Sequence, residues 1–216
     1  MVSASTTVPG GIDDLDAPWL TAALRTDAGM GTALVTSVRA EQIALDSGFS
    51  SLLYRLHLTG QHVPLTLIAK LPAQSEARGA MDLLGGYRRE LAFYREVADH
   101  APMDTPAVYT ARIADNGVDF VLLLEDLADW DNADHLAGLS MERARTCLAQ
   151  LAALHGWSCG TSAVALESFP SISTPIARDL LLPGFGPGWE IFRAHTETSV
   201  PPAIARFADR FAERAG

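Results

Sequence analysis

Lys70 and Glu90 are the residues whose types and spacing call for chemistry. Lys70 is the only lysine in a chain with fifteen arginines, and it sits near the end of the strand-like apolar run "PLTLIAKLP" (64–72). Glu90 lies between Tyr87 and Tyr94, at steps of three and four, on the apolar stripe of a helical segment. That placement aims a carboxylate inward, where an unpaired charge is costly. Lys70 supplies the missing cation if the helix packs across the strand, whereas Arg88, Arg89 and Arg95 point to other helix faces. A basic side chain needed only for solubility would be arginine in this chain, so a lone lysine here calls for a specific role. In the competing reading Lys70 snorkels to water and Glu90 faces a solvent pocket. Spacing alone leaves both open.

Two further stretches carry candidate binding groups. In "LDSGFSSLLYRL" (45–56), Gly48, Phe49, Ser50 and Ser51 form a turn between two strand-like segments, where backbone N–H groups can cradle an anion. The stretch lacks a GxGxxG pattern, and a plain hairpin turn is the alternative. In "VLLLEDL" (121–127) an apolar strand runs into Glu125, Asp126 and Leu127 and then into helical sequence, the form of a hinge. A buried strand ending in an acidic turn would read the same way.

The elements that must position these groups follow from periodicity and punctuation. "DAPWLTAALR" (16–25) predicts a helix with Asp16 as cap, Pro18 in the first turn and Trp19, Leu20, Ala23 and Leu24 on one apolar face. Strands are expected at about 36–45, 51–58 and 64–71, with turns at "DSGFS" (46–50) and "TGQH" (59–62). A helix over 78–100 follows, with Leu83, Tyr87, Tyr94 and Val97 on its stripe and Gly85 and Gly86 disturbing or starting it. Strands at 107–114 and 118–125 flank the hairpin turn "DNG" (115–117). Beyond Leu127 the pattern changes to helix and loop. A helix at 140–157 starts at a capping Ser140 and aligns Ala144, Cys147, Leu148, Leu151 and Leu154, with Cys147 read as a small core residue and Gly156 as the stop. "LLPGFGPGW" (181–189) fits no regular element, and a last helix at 201–216 is expected to bury Ile204, Phe207 and Phe211.

Composition narrows the class. A net charge of −10 and scattered arginines oppose binding to nucleic acid or to an anionic membrane surface. The apolar runs are too short to span a bilayer, and no leader-like segment opens the chain, so a cytoplasmic protein is expected. Cys147 and Cys159 match neither a CxxC pair nor a zinc spacing.

In order and spacing, "GFSSLLYRL", "LIAKLP", "RRELAFYREV", "PAVYTARI", "VLLLEDL" and "LAALHGW" resemble the N-terminal lobe of the aminoglycoside phosphotransferase and ecdysteroid-kinase-like group of small-molecule kinases, over roughly residues 40–157. The resemblance implies an α+β, protein-kinase-like fold: a five-stranded antiparallel sheet with a packed helix in the N-lobe (1–126), then a hinge and a truncated, mainly helical C-lobe (127–216). It implies ATP with magnesium and phosphoryl transfer to a hydroxyl of a small molecule. By position, Lys70 would hold phosphates, Glu90 would orient Lys70, Gly48, Phe49, Ser50 and Ser51 would cover the phosphates, and the main chain at Glu125, Asp126 and Leu127 would hold adenine.

The chain departs from that pattern after the hinge. It contains no His-x-Asp and no asparagine beyond Asn132, and Glu167, Asp179, Glu190, Glu197, Asp209 and Glu213 match no catalytic-loop or magnesium motif. In "LHGWS" Trp157 stands where an Asp is required, so His155 reads as a helix C-terminal residue, and His195 as an exposed loop residue. No catalytic residue and no magnesium ligand is therefore assigned. Two functions are expected: a small-molecule kinase represented by its nucleotide lobe, inactive as this chain alone, or a non-catalytic nucleotide- or partner-binding module. Uncovered apolar helix faces in the C-terminal part give the second reading an expectation of self-association.

Overall fold

The computed structural model describes residues 7–44, 50–74, 77–130, 133, 137–160, 169, 175, 179, 182–196 and 200–215. The chain divides into two compact units, Met1–Phe169 and Pro170–Gly216. The first is built on five antiparallel strands: β1 (Leu34–Ile43), β2 (Ser51–Gln61), β3 (Thr66–Pro72), β4 (Val108–Ile113) and β5 (Phe120–Glu125), in the order β1-β2-β3-β5-β4. Strand alternation divides the sheet's two faces. Leu67, Ala69 and Leu71 of β3 are buried on one face, and Ile68 and Lys70 belong to the other. β5 is buried on both faces from Phe120 to Leu124, as expected of an apolar run set between β3 and β4.

Helix α1 (Ala17–Thr26) covers the first face. The Asp16 carboxylate accepts from the Trp19 amide at 2.8 Å and Pro18 lies in the first turn, so the helix starts where the cap pattern placed it. Trp19, Leu20, Ala23 and Leu24 pack with Val35, Leu56, Leu67, Ala69, Val121 and Leu123 in one core. The second face is covered by the segment that the periodicity gave as one helix. The structure breaks it into α2 (Ala77–Leu83), α3 (Gly86–Ala92) and a π-helical turn (Phe93–Val97). The break is at Gly85, whose φ of 63° is cheap only for glycine. Leu83, expected on the stripe, is exposed, while Tyr87 and Leu91 of α3 pack against Phe120, Leu122 and Leu124.

β2 runs past the expected turn at 59–62, which moves to the residues after Gln61, with His62 at φ 54°. Gly60 permits the extension, since a Cβ there would lie 2.0 Å from the Leu34 carbonyl oxygen. The "DNG" hairpin forms as expected: the Asn116 side-chain oxygen accepts from the amides of Val118 and Asp119, both at 3.0 Å.

Helix α4 (Met141–Gly160) begins at Ser140, whose hydroxyl accepts from the Arg143 amide at 3.3 Å, but it continues past Gly156. None of its residues is buried, so the reading of Cys147 as a core residue is corrected: its thiol is exposed, as are Leu148 and Leu151. In the second unit, residues expected to be irregular form α5 (Leu182–His195), with Pro187 inside it. Packing overrides local propensity there: Phe185 meets Phe211 edge-on at 4.6 Å, and buried Trp189 donates its indole N–H to Asp209 at 2.8 Å. Exposed His195 ends this helix rather than lying in a loop. Asp209 and Phe211 belong to α6 (Pro202–Ala215), which buries Ala208; Ile204, Phe207 and Phe211, expected inside, are exposed. Among the described residues no helix is long and apolar enough to cross a membrane.

Candidate nucleotide site

The structure brings Lys70 and Glu90 together. Lys70 pairs across the sheet with Leu53 of β2 and Leu122 of β5, on the face that α3 covers only in part. Glu90 is one turn after Tyr87 on α3, and its Oε1 lies 2.5 Å from the Lys70 Nζ. The side chains are 21 % and 25 % exposed, screened from bulk water but still reachable by a ligand. The three rival arginines are engaged elsewhere: Arg88 with the Asp115 carbonyl, Arg89 with that of Leu84, and Arg95 with that of Ala111. Burial, joined by the nearby Glu90 carboxylate, raises the pKa of Tyr94 and keeps its phenol neutral.

Of the predicted phosphate-covering residues, Gly48 and Phe49 lie outside the described residues. Ser50 and Ser51 are placed at the start of β2. Ser51 pairs with Pro72, two residues beyond Lys70, which puts Ser51 on the Lys70 face by alternation. Its residue is only 6 % exposed and its hydroxyl oxygen has no hydrogen-bond partner, a costly state for a buried polar atom. The Ser50 carbonyl is held from two sides, by the Tyr87 hydroxyl at 2.5 Å and the Ala73 amide at 3.2 Å.

At the end of β5, the side chains of Glu125 and Asp126 are engaged within the protein. Glu125 accepts from the Ala107 amide at 3.0 Å. Asp126 accepts from the Ala128 amide at 3.1 Å and from Arg55 of β2, whose Nε and Nη2 reach its two oxygens at 2.7 and 3.3 Å. Burial opposes the Asp126 charge, but the bonds from Arg55 and Thr66 outweigh it and hold its pKa below the ordinary carboxylate value. The Leu127 carbonyl accepts from the Trp130 amide at 2.9 Å. β3 relates the two groups of residues: Leu67 is level with Glu125 and Lys70 with Leu122. Three residues of strand separate them by about 10 Å.

Two contributors escape sequence reasoning, the Tyr87 hydroxyl and Arg55. The only signal for the first is a phenol rather than a phenyl ring on an apolar stripe. Arg55 is far in sequence from Asp126, and no local pattern joins the two.

A five-stranded antiparallel sheet whose third-strand lysine is held by a glutamate from the helix packed on it is consistent with a kinase-like fold. The family model of the ecdysteroid kinase-like family matches residues 46–181, and the chain belongs to that family. No match was found among curated proteins or among solved structures.

Proposed function

We propose that the chain binds ATP through Lys70 and takes part in phosphoryl transfer to a hydroxyl of a small molecule. The observation that carries this reading is the Lys70–Glu90 ion pair at 2.5 Å on the partly open sheet face. Membership of a kinase-like family supports it. In this reading ATP with magnesium supplies the transferable phosphoryl group. Glu90 fixes the ammonium so that Lys70 neutralises phosphate oxygens, Ser51 donates its unpartnered hydroxyl, Ser50 with Gly48 and Phe49 forms the phosphate-covering turn, and the main chain of Glu125, Asp126 and Leu127 faces the base. Among the described residues no group of three or more His, Cys, Asp or Glu side chains is placed to hold a metal ion, and no residue is assigned to magnesium. Because nucleoside triphosphates are plentiful in the cytoplasm, the same reading places the chain there.

The test is a lysine-reactive acyl-phosphate analogue of ATP, with and without competing Mg-ATP, read by mass spectrometry. Lys70 is the only lysine, so the modified residue is unambiguous. ATP-suppressed labelling of Lys70 supports nucleotide binding; labelling indifferent to ATP refutes it. A second reading, a non-catalytic module that binds a partner or itself, is favoured by the exposed Leu148 and Leu151 of α4. A monodisperse monomer in light scattering would count against it.

A further inference from the structure

The hydroxyl of Tyr87 is an element of the site that the kinase-like pattern does not call for. We propose that it is a latch coupling the Lys70–Glu90 pair to the start of β2, and that it tunes affinity for the phosphates rather than for the nucleoside. The inference rests on the nucleotide reading above. Tyr87 is fully buried and its ring packs on Phe120 with centroids 4.8 Å apart, so the ring alone accounts for its packing. The hydroxyl does something further: it donates to the Ser50 carbonyl at 2.5 Å, at the point where the Ala73 amide also donates. Those two donors lock the first residues of β2 onto the end of β3 and onto α3 at once. Ser51, the next residue, carries the buried hydroxyl without a partner. Glu90 leaves the same helix one turn later to hold Lys70.

One short helix therefore sets the position of the cation and of the strand end that faces it. Removing the Tyr87 hydroxyl leaves the Ser50 carbonyl held by the Ala73 amide alone, untied from α3, and lets Ser51 move relative to Lys70. It touches nothing at the Glu125–Leu127 end, so the loss falls on groups bound at Lys70.

Tyr87→Phe keeps the ring on Phe120 and deletes only the hydroxyl, with its bond to Ser50 and its contact with the Ala73 amide. Binding of Mg-ATP and of adenosine is measured by isothermal titration calorimetry for both proteins, with a thermal melt as the check on folding. The expected result is Mg-ATP affinity weakened about 5- to 10-fold, the value of one hydrogen bond, with adenosine affinity unchanged. Equal Mg-ATP affinity in the two proteins overturns the latch and leaves the nucleotide reading standing. Parallel weakening of both ligands, or a variant that no longer folds, overturns it by making the hydroxyl a general stability element. A wild-type chain that binds neither ligand overturns the nucleotide reading and the latch with it.

Discussion

Breaking the Arg55–Asp126 pair from its two sides should give unequal costs. The Asp126 side chain is 5 % exposed and that of Arg55 is 28 % exposed, so each substitution strands a different kind of charge. Arg55→Leu leaves a buried carboxylate with only neutral donors, the amide of Ala128 and the hydroxyl of Thr66. Losing the partner of a fully buried charge costs about 3–5 kcal/mol, and the partial exposure of Arg55 reduces this to about 2–3 kcal/mol. Asp126→Asn leaves a guanidinium that can swing into water and keeps an acceptor for the Ala128 amide, so about 1 kcal/mol is expected. Urea titrations of the wild type, both single variants and the double variant at pH 7 measure the two costs and their coupling. The pH dependence has a definite sign. Because the folded pKa of Asp126 lies below its unfolded value near 3.8, the pair's contribution is complete above that value and is lost as pH falls through the folded pKa. In Arg55→Leu burial is opposed only by the Thr66 and Ala128 bonds, so the Asp126 pKa rises from its wild-type position and the variant's deficit should shrink on acidification. Asp126→Asn costing as much as Arg55→Leu, or a deficit that grows on acidification, would refute the reasoning.

Asp16→Ala removes the acceptor of the Trp19 amide and should cost about 1 kcal/mol in the same urea titration, with no change in nucleotide binding. Leu91→Ala opens a cavity between α3 and the sheet and should cost about 2–5 kcal/mol, whereas Phe207→Ala on α6, where the ring is 64 % exposed, should change stability by under about 1 kcal/mol; reversal of that order would contradict the assigned burial.

The parts of the fold that were legible are those where two independent constraints agree. Asp16 with Pro18 fixes the start of α1, and alternation with "DNG" fixes the β4–β5 hairpin. The candidate pair was legible because a lone lysine and an inward acid each lacked an explanation. What was illegible depends on partners distant in sequence. Proline and glycine at 183–188 signal a loop, and only packing of Phe185 and Trp189 against α6 makes them helical. An amphipathic stripe states that a helix has an apolar side without stating what covers it, so Cys147, Ile204 and Phe207 were assigned to a core they do not enter. The bond from Tyr87 to Ser50 spans 37 residues, and nothing near either one announces it.

The strand order has a consequence for how the molecule assembles. β1, β2 and β3 form one meander and β4 and β5 one hairpin, each closed by a short connection, but the seam between them joins β3 to β5 across the whole α2–α3 excursion. Closing that long loop costs entropy before the seam's apolar contacts return anything. Glu90 lies within the excursion, so the chain that must be ordered to close the seam is also the chain that carries the partner of Lys70. While the seam is open, β3 and β5 present unpaired strand edges, one of them the nearly unbroken apolar run of β5, the kind of edge on which a second unfinished chain can pair.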